Sequence, residues 1–259
     1  MANLDDDLRI VADLGNSRLK WGRIGVAGNL DASVSLPVDD DQEWRRVWET
    51  WNPGNQRRSQ WGISSVNPPV AERLGKFLEE SAIADVTWYR SAKQVQVRHA
   101  LQSIETAGAD RALAVLAVKR RRLPLKLNFV VLCGSAITIE RISPEGVWEG
   151  GAIALGLGLS ARALHELTAQ LPLVTPIHEP APWGASTHPA LETGIYWGVV
   201  GAIREILTRQ GDPRSMGKVL WTGGDAAWLA SSVAWPGSEV LPDLVLLGLA
   251  ELIFGSSRS

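Results

Sequence analysis

Apolar residues come in short runs that glycine interrupts. Residues 9–13 (RIVAD) form a β-branched run that stops at Leu14-Gly15-Asn16-Ser17, and residues 18–24 resume it. Strand, glycine-containing tight turn and strand predict a hairpin. Near mid-chain the pattern returns. Residues 128–132 (NFVVL) stop at Cys133-Gly134-Ser135-Ala136, residues 137–142 resume, and residues 147–153 follow the turn at Pro144-Glu145-Gly146. The spacing predicts helices over 107–122, 160–169 and 191–209, and a short strand over 219–221 that ends in Thr222-Gly223-Gly224-Asp225. One opening used twice, half a chain apart, suggests two related α/β domains, although strands followed by such turns also recur by chance. Four prolines (Pro172, Pro176, Pro180, Pro182) make 171–182 a loop suited to cover a cleft.

Trp44, Val47, Trp48 and Trp51 fall at i, i+3, i+4 and i+7 behind the acids Asp39 to Asp41. That is one apolar helix face with a favourable N-terminal charge. Core packing is the expected role. A stacking platform for nucleic acid would need interleaved basic residues, which this stretch lacks.

The chain has 259 residues, enough for one large domain or two intimate halves. A formal net charge of −2 offers nothing to a polyanion, so no nucleic-acid partner is expected. The basic run Lys119 to Arg122 closes a predicted helix, where the helix dipole favours it. Cys133 is the single cysteine, which suits a reducing compartment. The start carries three acids where a signal peptide would be basic, and the apolar stretch 244–254 contains Glu251 and is too short to span a bilayer. These features predict a soluble, cytoplasmic protein with no membrane association. His99, His165, His178 and His188 lack metal-ligand spacing.

The chemistry concentrates at Asp13-Leu14-Gly15-Asn16-Ser17-Arg18-Leu19-Lys20. Gly15 permits close backbone approach to a phosphate chain, and Asn16 and Ser17 add donors. Lys20 adds positive charge, and Asp13 at a strand end can hold Mg²⁺ directly or through water. A plain hairpin turn with an exposed lysine is the alternative. Further along, Gly108-Ala109-Asp110-Arg111 offers a carboxylate beside a guanidinium, which also reads as an ordinary helix start.

The ordered set of these motifs resembles the type III pantothenate kinases, members of the actin-like/sugar-kinase superfamily. Asp13 to Lys20 resembles the family's first phosphate motif, Ile63-Ser64-Ser65-Val66-Asn67-Pro68-Pro69 its Ser-Ser-Val-x-Pro segment, and Gly108 to Arg111 its Gly-x-Asp-Arg motif. Gly134-Ser135-Ala136-Ile137-Thr138 resembles the second phosphate motif, and Gly150-Gly151-Ala152-Ile153 a Gly-Gly-x-Ile segment. Thr187 before LETGIYWGVVG, then Thr222-Gly223-Gly224 and Pro242-Asp243-Leu244-Val245, complete the series.

The resemblance implies two actin-like (ribonuclease H-like) α/β domains facing a cleft, here 1–115 and 116–259, with ATP and Mg²⁺ between them. It implies ATP-dependent phosphorylation of pantothenate, the first step of coenzyme A biosynthesis, by a homodimer. Asp110 would accept the proton of the substrate hydroxyl. Gly108, Ala109, Arg111 and Thr187 would meet the substrate. Asp13, Gly15, Asn16, Ser17, Lys20, Gly134, Ser135, Gly223 and Gly224 would meet the nucleotide, with Asp13 also at the metal.

Three positions depart from the family pattern. Leu132 replaces an acid associated with a monovalent cation, so a K⁺ or NH₄⁺ site is doubtful there, because leucine has no oxygen to offer. Leu155 replaces a proline, and no Tyr lies between Tyr89 and Asp110, where the family has a pocket tyrosine and this chain has Leu101. A non-catalytic relative serving as a regulatory or scaffold protein, or a kinase for another small alcohol, therefore stands beside the pantothenate kinase reading.

Overall fold

The structure is a computed structural model that describes residues 7–119, 121, 123–212 and 214–255. Residues 1–6, with most of the acidic start, and Arg120 and Arg122 of the basic run lie outside the described residues. The chain forms two compact units. One comprises residues 1–97, 102–120 and 243–259; the other comprises 98–101 and 121–242.

The first unit is built on β1 (Leu8–Leu14), β2 (Arg18–Ile24), β3 (Leu30–Pro37), β4 (Ser59–Ser65) and β5 (Asp85–Tyr89), in sheet order β3-β2-β1-β4-β5. β1–β2 and β2–β3 are antiparallel, and β1–β4 and β4–β5 are parallel. Helices α1 (Asp41–Trp51) and α2 (Pro68–Glu80) cover one face. Asp40 starts α1 by accepting hydrogen bonds from the backbone N–H groups of Gln42 and Glu43. The tryptophan periodicity is core packing, as expected: Trp44 and Trp48 are buried with Trp21 and Trp61. Trp21 meets Trp61 edge-on at 5.1 Å, and Trp48 lies 5.4 Å from Trp61. Deleting one such side chain costs about 3–5 kcal/mol. Helices α3 (Ala109–Lys119) and, from the far end of the chain, α7 (Leu244–Phe254) pack on the opposite face, where Leu246 lies over Gly22 and Ile253 over Gly62.

The second unit repeats the plan with β6 (Asn128–Cys133), β7 (Ala136–Ile142), β8 (Trp148–Leu155), β9 (Val219–Thr222) and β10 (Ser238–Val240), in order β10-β9-β6-β7-β8. β6–β7 and β7–β8 are antiparallel; β6–β9 and β9–β10 are parallel. Read from the edges, both sheets run third, second, first, fourth, fifth strand. The repeated opening in the sequence is thus a repeated topology. Helices α4 (Leu157–Glu166), α5 (Thr187–Gln210) and α6 (Ala226–Val233) bury this unit's core around Phe129, Val131, Ile139, Tyr196 and Trp221. No helix among the described residues is long and apolar enough to cross a membrane.

The proline-rich segment 171–182 has no regular structure, as expected, and it is tied to its own unit. Val174 is buried in the core. Trp197 Nε1 donates to Pro180 O at 3.0 Å, Thr193 Oγ1 to Ala181 O at 2.8 Å, and Ser232 Oγ to Glu179 Oε1 at 3.1 Å.

Candidate functional site

Strand alternation assembles the first cluster. Ile10, Ala12 and Leu14 enter the tryptophan-rich core, as do Leu19 and Trp21 on β2 and Trp61 and Ile63 on β4. The residues between them face the other way. Asp13 is paired in register with Lys20 across the antiparallel ladder and with Ser64 across the parallel one. Carboxylate, ammonium and hydroxyl therefore form one row at one end of the sheet. The hairpin beyond is tight: Gly15 N–H donates to Arg18 O at 3.0 Å, leaving Asn16 and Ser17 exposed at its tip. Val66 N–H donates to Leu14 O at 3.2 Å and Asn67 Nδ2 to Gly15 O at 3.5 Å, which fixes the start of α2 beside the hairpin.

Two helix starts reach this row. Asp110 lies in the first turn of α3, where the helix dipole favours its charge. Its charge acts on Asp13. Gly108 permits the arrangement, because a Cβ there would collide with the Asp110 carboxylate and crowd Val66. Ala109 is buried and Arg111 half-buried. From α7, Asp243 Oδ1 pairs with Lys20 Nζ at 3.6 Å, and Ser33 Oγ on β3 donates to Asp243 Oδ2 at 3.2 Å.

Burial pushes the Asp13 carboxyl up to about 7, and the neighbouring Asp110 charge pushes the same way. The Lys20 ammonium and the Ser64 hydroxyl offset part of this. Ser64 Oγ is buried and falls short of a full hydrogen bond, so its help is small. Asp13 itself is only half-buried, so water and ions keep a route to it. Among the described residues no group of three or more His, Cys, Asp or Glu side chains forms a metal cage. Two carboxylates that disfavour each other's charge instead suit a hard cation that takes its remaining ligands from water and phosphate, as Mg²⁺ does.

The second cluster belongs to the other unit. Gly134 N–H donates to Ala136 O at 3.1 Å, making the matching hairpin, and Gly156 N–H donates to Ser135 O at 3.0 Å. Gly223, at φ +104°, lies against the Cys133 backbone so closely that a Cβ would overlap it, and Asp225 N–H donates to Cys133 O at 3.3 Å. Gly134, Ser135, Gly223 and Gly224 thus converge on the end of β6. Burial raises the pKa of Asp225 beside them, and burial likewise pushes the Cys133 thiol up, leaving it protonated and inert. The row equivalent to Asp13, Lys20 and Ser64 is Leu132, Thr138 and Thr222. Leu132 is buried, Thr138 Oγ1 is buried without a hydrogen-bond partner, and Thr222 Oγ1 donates to Pro242 O at 3.1 Å. Two hydroxyls and no carboxylate do not fit a cation site like the family's. Thr187 lies at the exposed start of α5, in a hollow of about 450 Å³ lined by Leu171, residues 184–187, Ala190 and Leu191.

Ser64, Asp225 and Asp243 each sit inside a motif of the sequence, yet nothing in the pattern alone assigns them a role. Only the strand register and the fold-back of α7 reveal their neighbours.

A model of the type III pantothenate kinase family matches residues 9–209. The chain belongs to the type III pantothenate kinase family. Type III pantothenate kinases from Chromobacterium violaceum (30% identity, 95% of this chain and 99% of the relative) and Nitrosococcus oceani (28%, 96% and 95%) align over nearly their whole lengths. A type III pantothenate kinase from Porphyromonas gingivalis is 38% identical over a shorter stretch, 57% of this chain and 61% of the relative. Among solved structures, a Baf-family protein from Campylobacter jejuni has a TM-score of 0.61 at 19% identity, covering 96% of this chain and all of that one. The (R)-2-hydroxyglutaryl-CoA dehydratase component A of Acidaminococcus fermentans has a TM-score of 0.54 at 10% identity, covering 97% and 99%. These likenesses show the fold of this chain, an actin-like α/β architecture.

Proposed function

We propose that this protein transfers the γ-phosphoryl group of ATP to the primary hydroxyl of pantothenate, the step that opens coenzyme A synthesis. The row of Asp13, Lys20 and Ser64, with Asp110 at its side in a member of this family, carries the proposal. An alcohol attacks phosphorus slowly unless a carboxylate accepts its proton as the P–O bond forms. Asp110 has that role, and Arg111 beside it holds the substrate carboxylate or orients Asp110. Gly108, Ala109 and Thr187 complete the substrate contacts.

Asn16, Ser17 and the Gly15 backbone donate to the phosphates, as do Ser135 and the backbones of Gly134, Gly223 and Gly224. Lys20 neutralises charge that builds on the transferring group. Asp13 holds Mg²⁺, which when bound neutralises phosphate charge. The donor set at Leu132 supports no monovalent cation site, so we propose turnover independent of potassium. We also propose a homodimer. Its support is an apolar face on α4, α5 and β8, where Leu155, Leu164 and Leu167 are exposed.

The deciding experiment is a coupled ADP-release assay with Mg²⁺, ATP and pantothenate, with and without potassium. Pantothenate-dependent turnover in both salts, reduced at least about 10³-fold in Asp110→Asn while ATP still binds, is the expected result. Wild-type turnover in the mutant would remove Asp110 from its role. A folded wild type with no turnover would favour a second reading, a non-catalytic relative or a kinase of another alcohol, to which Leu132 already lends weight.

A further inference from the structure

Among the described residues, two acids that neighbour Lys20 on its side of the sheet bear on where its ammonium goes. Asp13 faces it in register on β1, and Asp243 reaches it from the start of α7 at 3.6 Å. A lysine stem is long and flexible, and its ammonium goes wherever charge is strongest. Without the pull of Asp243, the ammonium is drawn toward Asp13, and the pair would neutralise each other. Neither would then serve a phosphate or a cation.

Asp243 stands at the N-cap position of α7, yet its side chain makes no capping bond there. Its two oxygens go instead to Lys20 and to Ser33, which donates from β3 at 3.2 Å. The α7 helix is held in place by Leu246 over Gly22, two residues along β2 from Lys20. Asp243 and Lys20 are each about a quarter exposed, so the contact is partly shielded and still open to a ligand.

We propose that Asp243 is a positioning residue, oriented by Ser33, that holds the Lys20 ammonium off Asp13 and in place for a phosphate chain. This rests on the phosphate-binding reading given above, and it adds a residue from the far end of the chain to that site.

The test is a double-mutant cycle on nucleotide affinity. Binding of Mg·ADP, and of inorganic tripolyphosphate as a probe without base or sugar, is measured by calorimetry in wild type, Asp243→Asn, Lys20→Ala and the double mutant. Asp243 also repels an anion directly, so its removal has two opposed effects. Acting through Lys20, Asp243→Asn weakens binding about fivefold when Lys20 is present, the size expected of a partly exposed ion pair. In the Lys20→Ala background the same change leaves affinity unchanged or tightens it. A shift of equal size and sign in both backgrounds, or tightening that depends on Lys20, overturns the proposal. Ser33→Ala, which leaves every charge in place, is expected to weaken binding about twofold, and no change there counts against Ser33 as the orienting group. Melting temperatures within a few degrees of wild type confirm that folding is not what moved. If wild type binds neither probe, the phosphate-binding reading falls and this inference falls with it. If wild type binds and the cycle is additive, only the inference falls.

Discussion

Asp13 is held where its charge is unwelcome. Its folded pKa of about 7 lies well above the ordinary carboxylate value near 3.9. The folded state therefore binds a proton that the unfolded chain has already lost. Below the unfolded value this costs nothing. The penalty grows as pH rises through the window between the two values and is complete above about 7. Asparagine carries no charge at any of these pH values. Asp13→Asn should therefore melt at nearly the wild-type temperature at pH 4 and higher at pH 8, by on the order of 1–4 kcal/mol of stability. Equal melting at pH 8 would show that the carboxylate is not strained. The same variant should lose Mg·ATP binding, so the destabilised charge is retained for a ligand and not for the fold.

At the scale of the element, the two glycines of the turn after β9 differ in what they demand. Gly223 sits at φ +104° against the Cys133 backbone, whereas Gly224 has open space around its Cα. Gly223→Ala is expected to cost about 2 kcal/mol or more, lowering the melting temperature by several degrees and weakening nucleotide binding. Gly224→Ala should be nearly silent in a thermal scan, and equal effects from the two would refute this contrast. The hairpins were legible because period-two runs and a breaker glycine announce themselves locally, and α1 was legible from its tryptophans. β3 was not: Leu30–Pro37 (LDASVSLP) is an edge strand that alternates half-buried and exposed residues, with Leu36 alone fully buried, and its apolar signal is weak. Asp13, Lys20 and Asp110 were readable as candidates. Their mutual charge effects were not, because these depend on the partner strands and on helix starts brought from elsewhere in the chain. Asp243 is the extreme case, 210 residues from Ser33.

At the scale of the whole molecule, the two units share a topology and differ in charge. The row that reads Asp13, Lys20, Ser64 in one unit reads Leu132, Thr138, Thr222 in the other. Identical sheet order keeps both hairpins, while the acid and the lysine of the row are present in only one of the two rows. The first unit also depends on α7, which covers the sheet face bearing Val11, Gly22 and Gly62. A chain ending at Pro242 should keep slow amide exchange in β6 and β9 and lose it in β1, β2 and β4. Retained protection in β1 would show that the first sheet stands without its last helix.

That last helix gives the protein an unusual birth order. Residues 121–242, the bulk of the second unit, leave the ribosome before Asp243 does. At about 5–20 residues per second, the first sheet waits roughly 6–25 s for the helix that closes its second face. During that interval the part of this face around Val11 and Gly22 lacks the helix that covers it. The half of the protein made first is therefore the half finished last.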